Sequence, residues 1–539
     1  MSSSLGLVYA LKATKADLLL TKIKQKQSMT KLSIKPNTVI GEGGRSFTVE
    51  KITSDMIYVR GSQENNPLRH IPRDLIETLV TAIREGKITL QDIQRRYRSD
   101  KGLSHLFDEL ELNYDKYILG YDATIQKLCE YALEHPAEDS NIKPKHIALV
   151  TPKPFLLLAG ISGTGKSRFV RQQASPDQSN YQLVAVRPDW HEPSDLLGYI
   201  SRLSGTAEYV STPLLGFIVR AWQELLDNGC TLDGERLTGT REQLDAVLPY
   251  WLCLDEMNLA PVEQYFADYL ALIETREWYW PDADSFEYSC NPLLVADTLK
   301  ELGEEAQQNL AVKLGLEAES ELWQHFIEHG IAIPPNLIVA GTVNMDETTH
   351  GFSRKVIDRA MTFDFGEFFP NELDDYYAGS INQVPLTFPR YSSGRDALPE
   401  TDAQASIQFL QAINAVLKST PFELAYRALN ELLLAVHSHA PDNNADLQAV
   451  WDDFLMQKVL PRIEGDADKL QQNAQDNLLT RLQQVLETRL GEIWDEDRRR
   501  TDFYRVQNDQ PMQIPCRSRH KIRWMLDRLE SSGFTSFWP

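Results

Sequence analysis

Residues 155–167 have the sequence FLLLAGISGTGKS, in which an apolar run leads into a glycine-rich loop. The run Phe155–Ala159 predicts a buried strand. The glycines that follow let the backbone turn tightly enough for successive N–H groups to surround phosphate oxygens. Lys166 supplies a positive charge for the β- and γ-phosphates, and Ser167 offers a hydroxyl to Mg²⁺. The stretch therefore predicts a phosphate-binding loop between a strand and a helix whose positive end faces the anion.

This loop fixes the class of ligand. We expect a nucleoside triphosphate, ATP or GTP, as the substrate and Mg²⁺ as its cofactor. A flexible turn of glycine and serine is the alternative, which the apolar strand before the loop disfavours. The predicted nucleotide-binding residues are Gly160, Ile161, Ser162, Gly163, Thr164, Gly165, Lys166, Ser167 and Arg168, together with Asp255.

The charge of the chain is unevenly distributed. The 539 residues carry a net charge of −22, which argues against a protein that only coats nucleic acid. Residues 1–105 nevertheless contain 18 Lys and Arg against 10 Asp and Glu. A basic N-terminal module on an acidic body is typical of a protein with more than one binding partner.

The cysteines and apolar runs indicate the compartment. The five cysteines are widely separated and form no C-x-x-C motif, so neither a zinc ribbon nor a disulfide framework is predicted. Reduced thiols favour a cytoplasmic protein. No apolar run approaches the roughly 20 residues of a membrane span, and Met1–Leu20 has no secretory pattern. We expect no membrane association.

The length predicts roughly three or four domains. We expect a loosely held extension, a candidate for disorder, at residues 1–28, a small basic α/β domain at 29–110 and a helical linker at 111–152. An α/β core follows at 153–370, and a helical lid and C-terminal domain at 371–539. Strands are predicted at Ser46–Thr53 and Met56–Arg60, and a helix from Pro72.

Two short segments leave alternatives open. The basic cluster Gln94–Arg98 contains one aromatic residue, which fits either contact with nucleic acid or a solvated helix face. The terminal segment Gly533–Pro539 is aromatic, so it either docks on its own domain or anchors a partner.

Further apolar runs in the core alternate with helical patterns. Leu183–Val186, Tyr250–Leu254 and Leu337–Gly341 are each short and are each followed by polar residues. That alternation predicts a parallel sheet with covering helices. The fold class is therefore α/β.

The second half of the nucleotide site follows the third of these strands. Asp255 and Glu256 come directly after Leu254, at the carboxyl end of a strand, where ligands bind in open α/β sheets. Asp255 is predicted to hold Mg²⁺, as does Ser167, and Glu256 to polarise the attacking water. A surface acidic pair is the alternative, which the preceding phosphate-binding loop makes less favourable.

Three more residues are catalytic candidates. Asn344 ends the next strand, which we expect to lie between the other two, so that its side chain faces the γ-phosphate. Arg359 and Arg354 are candidates for an arginine finger, a cation that a neighbouring subunit supplies to the transition state. An intrachain salt bridge is the alternative for both arginines.

Three segments together resemble the AAA+ ATPases, and within that superfamily the McrB-type restriction NTPases. They are Gly160–Ser167, Leu254–Ala260 and Ile338–Asn344. McrB-like proteins carry Asp-Glu-Ile-Asn-Arg-Ala after the third strand, close to the DEMNLA found here. Their fourth strand ends in Gly-Thr-Met-Asn-Thr-Ala-Asp-Arg-Ser. The GTVN found here matches its start, and Met345–Thr349 departs from the remainder, which leaves the choice between ATP and GTP open.

Two further segments are similar to the related MoxR branch. Ile357–Arg359 resembles its Leu-Asp-Arg segment, and the region from Asp195 to Leu215 resembles a hairpin inserted in its second helix. The resemblance covers residues 120–370. It implies an AAA+ P-loop core with a parallel sheet and covering helices, and a helical lid with a C-terminal helical region. The small α/β N-terminal domain is predicted separately, from the strand and helix patterns before residue 110.

The resemblance also implies how such a chain works. It implies a homo-oligomeric ring, usually a hexamer, with the nucleotide between subunits, and an effector partner, often a nuclease. McrB-like proteins join a DNA-reading N-terminal domain to the motor, and the basic residues 1–105 fit that plan. The leading hypothesis is a DNA-directed motor of a restriction or anti-phage system. A MoxR-like chaperone that remodels a protein partner is the alternative.

Overall fold

The computed structural model of the protein describes residues 148–538 except 204, 346–351, 371–380, 472–476 and 509. Before residue 148 it describes residues 39–40, 47–52, 56–61, 69–72, 76 and 128–129. The chain forms two compact units, Met1–Pro144 and Lys145–Pro539. Their boundary lies inside the predicted linker of residues 111–152.

The first unit contains a four-stranded antiparallel sheet whose strands follow one another in chain order. The strands are Val39–Ile40, Phe47–Ile52, Met56–Gly61 and Arg69–Pro72. The sequence predicted the middle two strands, because only these are long enough to show alternation. The extension at 1–28 and the basic cluster at 94–98 lie outside the described residues.

The second unit is built on a parallel sheet of five strands, here β1 to β5. They are Phe155–Gly160, Tyr181–Ala185, Tyr250–Asp255, Leu337–Asn344 and Met361–Asp364. Their order across the sheet is β5-β1-β4-β3-β2, and every neighbouring pair is parallel. β1 and β4 are buried along their whole length, as expected for strands covered on both faces.

The predicted α/β class with a parallel sheet is confirmed. The sequence located β1, β3 and β4, and it placed β2 two residues too late because Tyr181 and Gln182 are only half-buried. β5 was missed, since its four residues MTFD carry too little pattern to separate a strand from the helix that follows.

Helices and small antiparallel sheets surround this sheet. The helices up to residue 370 are Lys166–Gln173 (α1), Pro193–Leu197, Pro213–Asp227, Arg241–Ala246, Val262–Tyr265, Ala267–Leu272, Ala296–Lys300, Glu304–Lys313, Glu321–His329, Arg354–Ile357 and Phe365–Phe368. The short strands are Gly198–Ser201 paired with Glu208–Ser211, a sheet of Thr231–Asp233, Arg236–Thr240, Ser285–Ser289 and Glu277–Tyr279, and Pro292–Leu294 paired with Ile331–Ala332. The first of these pairs is the hairpin that the sequence predicted between Asp195 and Leu215.

The region after residue 380 mixes helices with strands, so the expectation of a mainly helical region is incomplete. Its helices are Gly394–Ala397, Glu400–Leu417, Tyr426–His439 (α2), Asn444–Phe454, Ala467–Leu470, Leu478–Arg489 and Arg517–Ser532. Its strands are Ile381–Gln383, Leu386–Thr387, Glu464–Asp466, Arg500–Gln507, Gln510–Ile514 and Phe534–Ser536. Arg500–Gln507 and Gln510–Ile514 form a hairpin with each other. The other four strands pair with partners far away in sequence, which the local pattern does not reveal.

Strand pairing and an ion pair join this region to the core. Leu386–Thr387 pairs in parallel with Leu149–Val150, which corrects the expectation that the linker is helical up to residue 152. Lys521 Nζ donates to Asp364 Oδ2 at 2.6 Å, at the carboxyl end of β5. The aromatic tail docks on its own domain, since Phe534–Ser536 pairs with Glu464–Asp466 and Phe537 is fully buried.

Within the described ranges, no helix combines the length and apolar character that a membrane span requires.

Candidate nucleotide-binding site

The predicted phosphate-binding loop joins β1 to α1 at the carboxyl edge of the sheet. Gly163 and Gly165 have φ angles of +82° and +89°, which side chains on Cα disfavour. A Cβ at Gly160 would lie 3.2 Å from Phe365 Cβ, so that glycine lets the strand end approach the segment after β5 closely. Gly163 and Gly165 are therefore needed for their backbone conformation, and Gly160 is needed for close packing.

Lys166 is the first residue of α1, and its side chain folds back into the loop. It is 5% exposed, and its Nζ donates to the carbonyl oxygens of Gly160 at 3.0 Å and Ile161 at 2.7 Å. The first turn of α1 contains no acidic residue. The positive helix end and the ammonium group thus face the same loop, which favours an anion there.

The other loop residues form the rim of this site. Ile161, Ser162 and Gly163 are exposed, as is Arg168 on α1, whereas Thr164 is half-buried. Thr164 Oγ1 donates to the Ile161 carbonyl at 3.0 Å, which closes the loop on itself. Phe169 packs edge-on against Phe365, with ring centroids 5.9 Å apart, and so fixes the helix on the sheet.

Ser167 and Asp255 meet beside the loop, although 88 residues separate them. Ser167 Oγ donates to Asp255 Oδ1 at 2.6 Å. The same carboxylate oxygen accepts from Thr342 Oγ1 at 2.7 Å. Mg²⁺ prefers oxygen ligands such as hydroxyls and carboxylates. It commonly binds only one or two protein carboxylates, and water and phosphate oxygens complete its coordination shell. The predicted pair Ser167 and Asp255 therefore fits Mg²⁺.

Glu256 is held in an unusual backbone conformation. Its φ is +53°, in the left-handed region that costs a non-glycine residue roughly 1–3 kcal/mol. Its N–H donates to Thr342 Oγ1 at 3.0 Å, and its side-chain Oε1 accepts from Asn344 Nδ2 at 3.1 Å. Both contacts hold Glu256 against the end of β4, the strand that pairs with β1 beside the loop.

The sheet order explains why these residues converge. β4 lies between β1 and β3, and Asn344 is in register with Gly160 while Gly341 is in register with Leu254. Asn344 thus stands between the loop and the acidic pair, as the sequence analysis expected. Neighbouring parallel strands end at one edge, so the ends of these three strands assemble the site without any long loop.

Thr342 is a site residue to which sequence reasoning gave no role. It is 2% exposed and contacts both acidic residues. Alternate residues of a strand face the same side, so the spacing of Thr342 and Asn344 in GTVN was the available signal. Asn258, whose Nδ2 donates to the Asn344 carbonyl at 3.3 Å, was also overlooked.

The acidic pair meets neutral partners. Within the part of the chain that the structure describes, neither Asp255 nor Glu256 forms an ion pair. Nearby, burial raises the pKa of the Cys253 thiol to about 12, so this side chain stays neutral and serves packing. The negative charge of the pair is therefore available to a cation from outside the chain.

The two arginine candidates lie elsewhere. Arg359 precedes β5, whose strand runs parallel to β1, so it lies at the amino edge of the sheet, opposite the loop. Arg354 Nη1 donates to the Pro421 carbonyl at 2.8 Å, and its guanidinium lies 5.2 Å from the centroid of the Phe422 ring. The structure does not bring either arginine to the phosphate-binding loop of its own chain.

Comparison with known families assigns only the C-terminal region. Residues 385–534 match a family model described as a domain of unknown function, DUF8727. No protein of curated function matches the chain at a significant level. The matched region begins after β5 and therefore contains none of the residues of the candidate site.

Proposed function

We propose that this chain is an Mg²⁺-dependent nucleoside triphosphatase of the AAA+ type that hydrolyses ATP or GTP. The observation that carries the proposal is the network at the carboxyl edge of the sheet. There Ser167 and Asp255 share a 2.6 Å hydrogen bond, and Asn344 holds the Glu256 carboxylate at 3.1 Å. The sheet order supports it, since the strand with the acidic pair is separated from the loop strand by β4.

Each residue has a role that follows from its place. Lys166 and the amino end of α1 bind the β- and γ-phosphates. Mg²⁺, when bound by Ser167 and Asp255, neutralises charge on the phosphates. Glu256 accepts a hydrogen bond from the attacking water and orients it in line with the bond that breaks. Asn344 positions Glu256 and offers an amide to the γ-phosphate side.

The site is completed by a second copy of the chain. Arg359 precedes Met361, which pairs with Leu156, four residues before Gly160. At roughly 3.3 Å per residue the loop is about 13 Å further along the strands, which is beyond the reach of an arginine side chain. A neighbouring subunit in a homo-oligomeric ring, such as a hexamer, supplies Arg359 to the transition state. Arg354, which donates a hydrogen bond to the Pro421 carbonyl, holds the segment that contains Pro421 and Phe422.

The motor acts on DNA together with a nuclease in a restriction or anti-phage system. The basic excess of residues 1–105 supports DNA as the target. A chaperone acting on a protein partner is the second candidate, and the hairpin of residues 198–211 favours it. In this hairpin Tyr199 is 55% exposed and Leu203, at the tip, is 98% exposed. Exposed apolar side chains of this kind suit contact with another protein. In both cases the chain works in the cytoplasm.

Hydrolysis and nucleotide binding test the proposal separately. Purified protein should release phosphate from ATP or GTP only when Mg²⁺ is present. Lys166→Ala should lose nucleotide binding, whereas Glu256→Gln should keep binding and lose turnover by about a thousandfold. A wild-type protein that neither binds nor hydrolyses any nucleoside triphosphate would falsify the proposal.

The target needs its own experiment. Full-length protein should bind duplex DNA with an affinity that falls steeply with salt, and DNA should raise the hydrolysis rate. If DNA neither binds at low salt nor changes hydrolysis, while a protein partner does change it, the chaperone function replaces the DNA-directed one.

A further inference from the structure

A charged cavity lies at the amino edge of the sheet, away from the phosphate-binding loop. Its volume is about 110 Å³. The charged residues that line it are Lys153, Glu274, Arg276, Arg359, Arg427 and Glu431. Four cations against two carboxylates make the cavity positive in a chain whose net charge is −22.

Two arginines in this cavity converge on one carboxylate. Arg359 Nε lies 3.8 Å from Glu274 Oε1, and Arg427 Nη2 lies 3.3 Å from Glu274 Oε2. The two arginines come from different regions, since Arg359 precedes β5 and Arg427 lies on α2 within the C-terminal region. Glu274 lies in the short turn Ile273–Thr275.

The contacts of Arg359 are incomplete. Its Nε and Nη1 atoms are buried, and no hydrogen-bond acceptor among the described residues satisfies them. The 3.8 Å distance to Glu274 is too long for a hydrogen bond. Two buried guanidinium nitrogens without acceptors are costly, and they favour an anion with several oxygens, such as a phosphate.

The other carboxylate of the cavity is already neutralised. Glu431 pairs with Lys153, and its Oε2 lies 2.7 Å from Lys458 Nζ. Lys153 and Lys458 also donate to the carbonyl oxygen of Asp358, the residue before Arg359. This cluster fixes the segment that carries Arg359, and it leaves Glu274 alone to face the two arginines.

We propose that this cavity receives the terminal phosphate of a nucleotide bound to a neighbouring copy of the chain, with Arg427 as a second cation beside Arg359. The inference rests on the proposed nucleotide hydrolysis. Glu274 is the counter-ion that the phosphate displaces. The Arg427 and Glu274 side chains are 42% and 34% exposed, so their ion pair is weak, and a phosphate with more charge replaces it.

Two variants that remove the same ion pair separate this role from a structural one. Arg427→Ala should lower hydrolysis by about a hundredfold while nucleotide binding stays at the wild-type level. Glu274→Gln removes the carboxylate that competes with the phosphate for both arginines, so it should raise hydrolysis above the wild-type level. Equal losses of hydrolysis in both variants, with equal losses in melting temperature, would show a structural ion pair and overturn the proposal.

Mixing two inactive variants tests whether Arg427 acts on a neighbour. Lys166→Ala keeps Arg427 but has a defective loop, whereas Arg427→Ala keeps the loop. A mixture of the two should regain activity, because a loop of one variant meets an arginine of the other. Activity no higher than the sum of the separate variants contradicts action between copies.

The matched control is Arg498→Ala, which removes an exposed arginine lying 3.2 Å from Asp495 and should hydrolyse normally. If the wild type hydrolyses nucleotide and Arg427→Ala is equally active, the assignment of Arg427 as a second cation is wrong, and the proposed hydrolysis still stands. If the wild type neither binds nor hydrolyses nucleotide, the proposed function fails and this inference fails with it.

Discussion

Asp255–Glu256 and Asp452–Asp453 are both pairs of adjacent carboxylates, but their partners differ in kind. The first pair is half-buried and meets the hydroxyls of Ser167 and Thr342 and the amide of Asn344. These donors orient the carboxylates without neutralising them.

The second pair is closed by cations. Arg500 Nε lies 2.7 Å from Asp452 Oδ2, and Arg517 Nη1 lies 2.7 Å from Asp453 Oδ1. The Arg500, Asp452 and Asp453 side chains are at most 2% exposed. Two backbone N–H groups, of Arg517 and Ser518, also donate to Asp452.

Neighbouring acidic residues therefore predict a cation site only when the chain leaves their charge uncompensated. The first pair has no ion pair among the described residues and so leaves its charge open to the external ion that we propose, whereas arginines of the same chain occupy the second.

Arg500→Met should destabilise the second unit most. It leaves Asp452 and Asp453 buried without their shared cation, and breaking a buried ion pair in this way costs about 3–5 kcal/mol. Urea unfolding followed by tryptophan fluorescence should show a lower midpoint, and the exposed control Arg498→Ala should not. An unchanged midpoint for Arg500→Met would mean that the closed pair is not structural.

Acid should act on the closed pair through its carboxylates. Burial raises the pKa of Asp452, but the Arg500 charge and the donors of Ser518 and Arg517 outweigh it and hold that pKa below its usual 3.8. Arg517 and Arg505 likewise lower the pKa of the buried Asp502. A lowered folded pKa stabilises the protein above pH 3.8, and this contribution is lost as the pH falls through the folded value. The difference in stability between wild type and Arg500→Met should therefore shrink below pH 3.8 in urea titrations. If the difference in stability between the two proteins instead grows as the pH falls, the lowered pKa of Asp452 is not what stabilises the fold.

Thr342→Val should have a smaller effect on stability and a large one on hydrolysis. It removes the acceptor of the Glu256 N–H and a donor to Asp255, at a cost of about 1–3 kcal/mol. Hydrolysis should fall while nucleotide binding persists. The matched control is Thr362→Val on β5, because Thr362 Oγ1 is buried and meets no partner within the described ranges. Equal hydrolysis by both variants would show that Thr342 has no role in the site.

Particular residues show how far the sequence was sufficient. The loop at 160–167 and the acidic pair were visible because their chemistry depends on residue types at fixed spacing along one segment. The α/β class followed from the apolar runs of β1, β3 and β4.

Long-range contacts were not accessible in the same way. Arg427 and Glu274 meet only because α2 folds back on the core, and Arg500 meets Asp453 across 47 residues. Asp452–Asp453 and Asp255–Glu256 look alike as dipeptides, and only the fold decides which pair receives an arginine. The strand pairing of Phe534–Ser536 was hidden for the same reason.

Mn²⁺ binding tests whether Ser167 and Asp255 hold a metal ion, since Mn²⁺ replaces Mg²⁺ and its binding is read by electron paramagnetic resonance. With a non-hydrolysable ATP analogue, the wild type should hold one Mn²⁺ per chain. Asp255→Asn should weaken that binding by about tenfold to a hundredfold, and the exposed control Asp495→Asn should not. Mn²⁺ held by Asp255→Asn as tightly as by the wild type would contradict an open carboxylate pair at the carboxyl edge of the sheet.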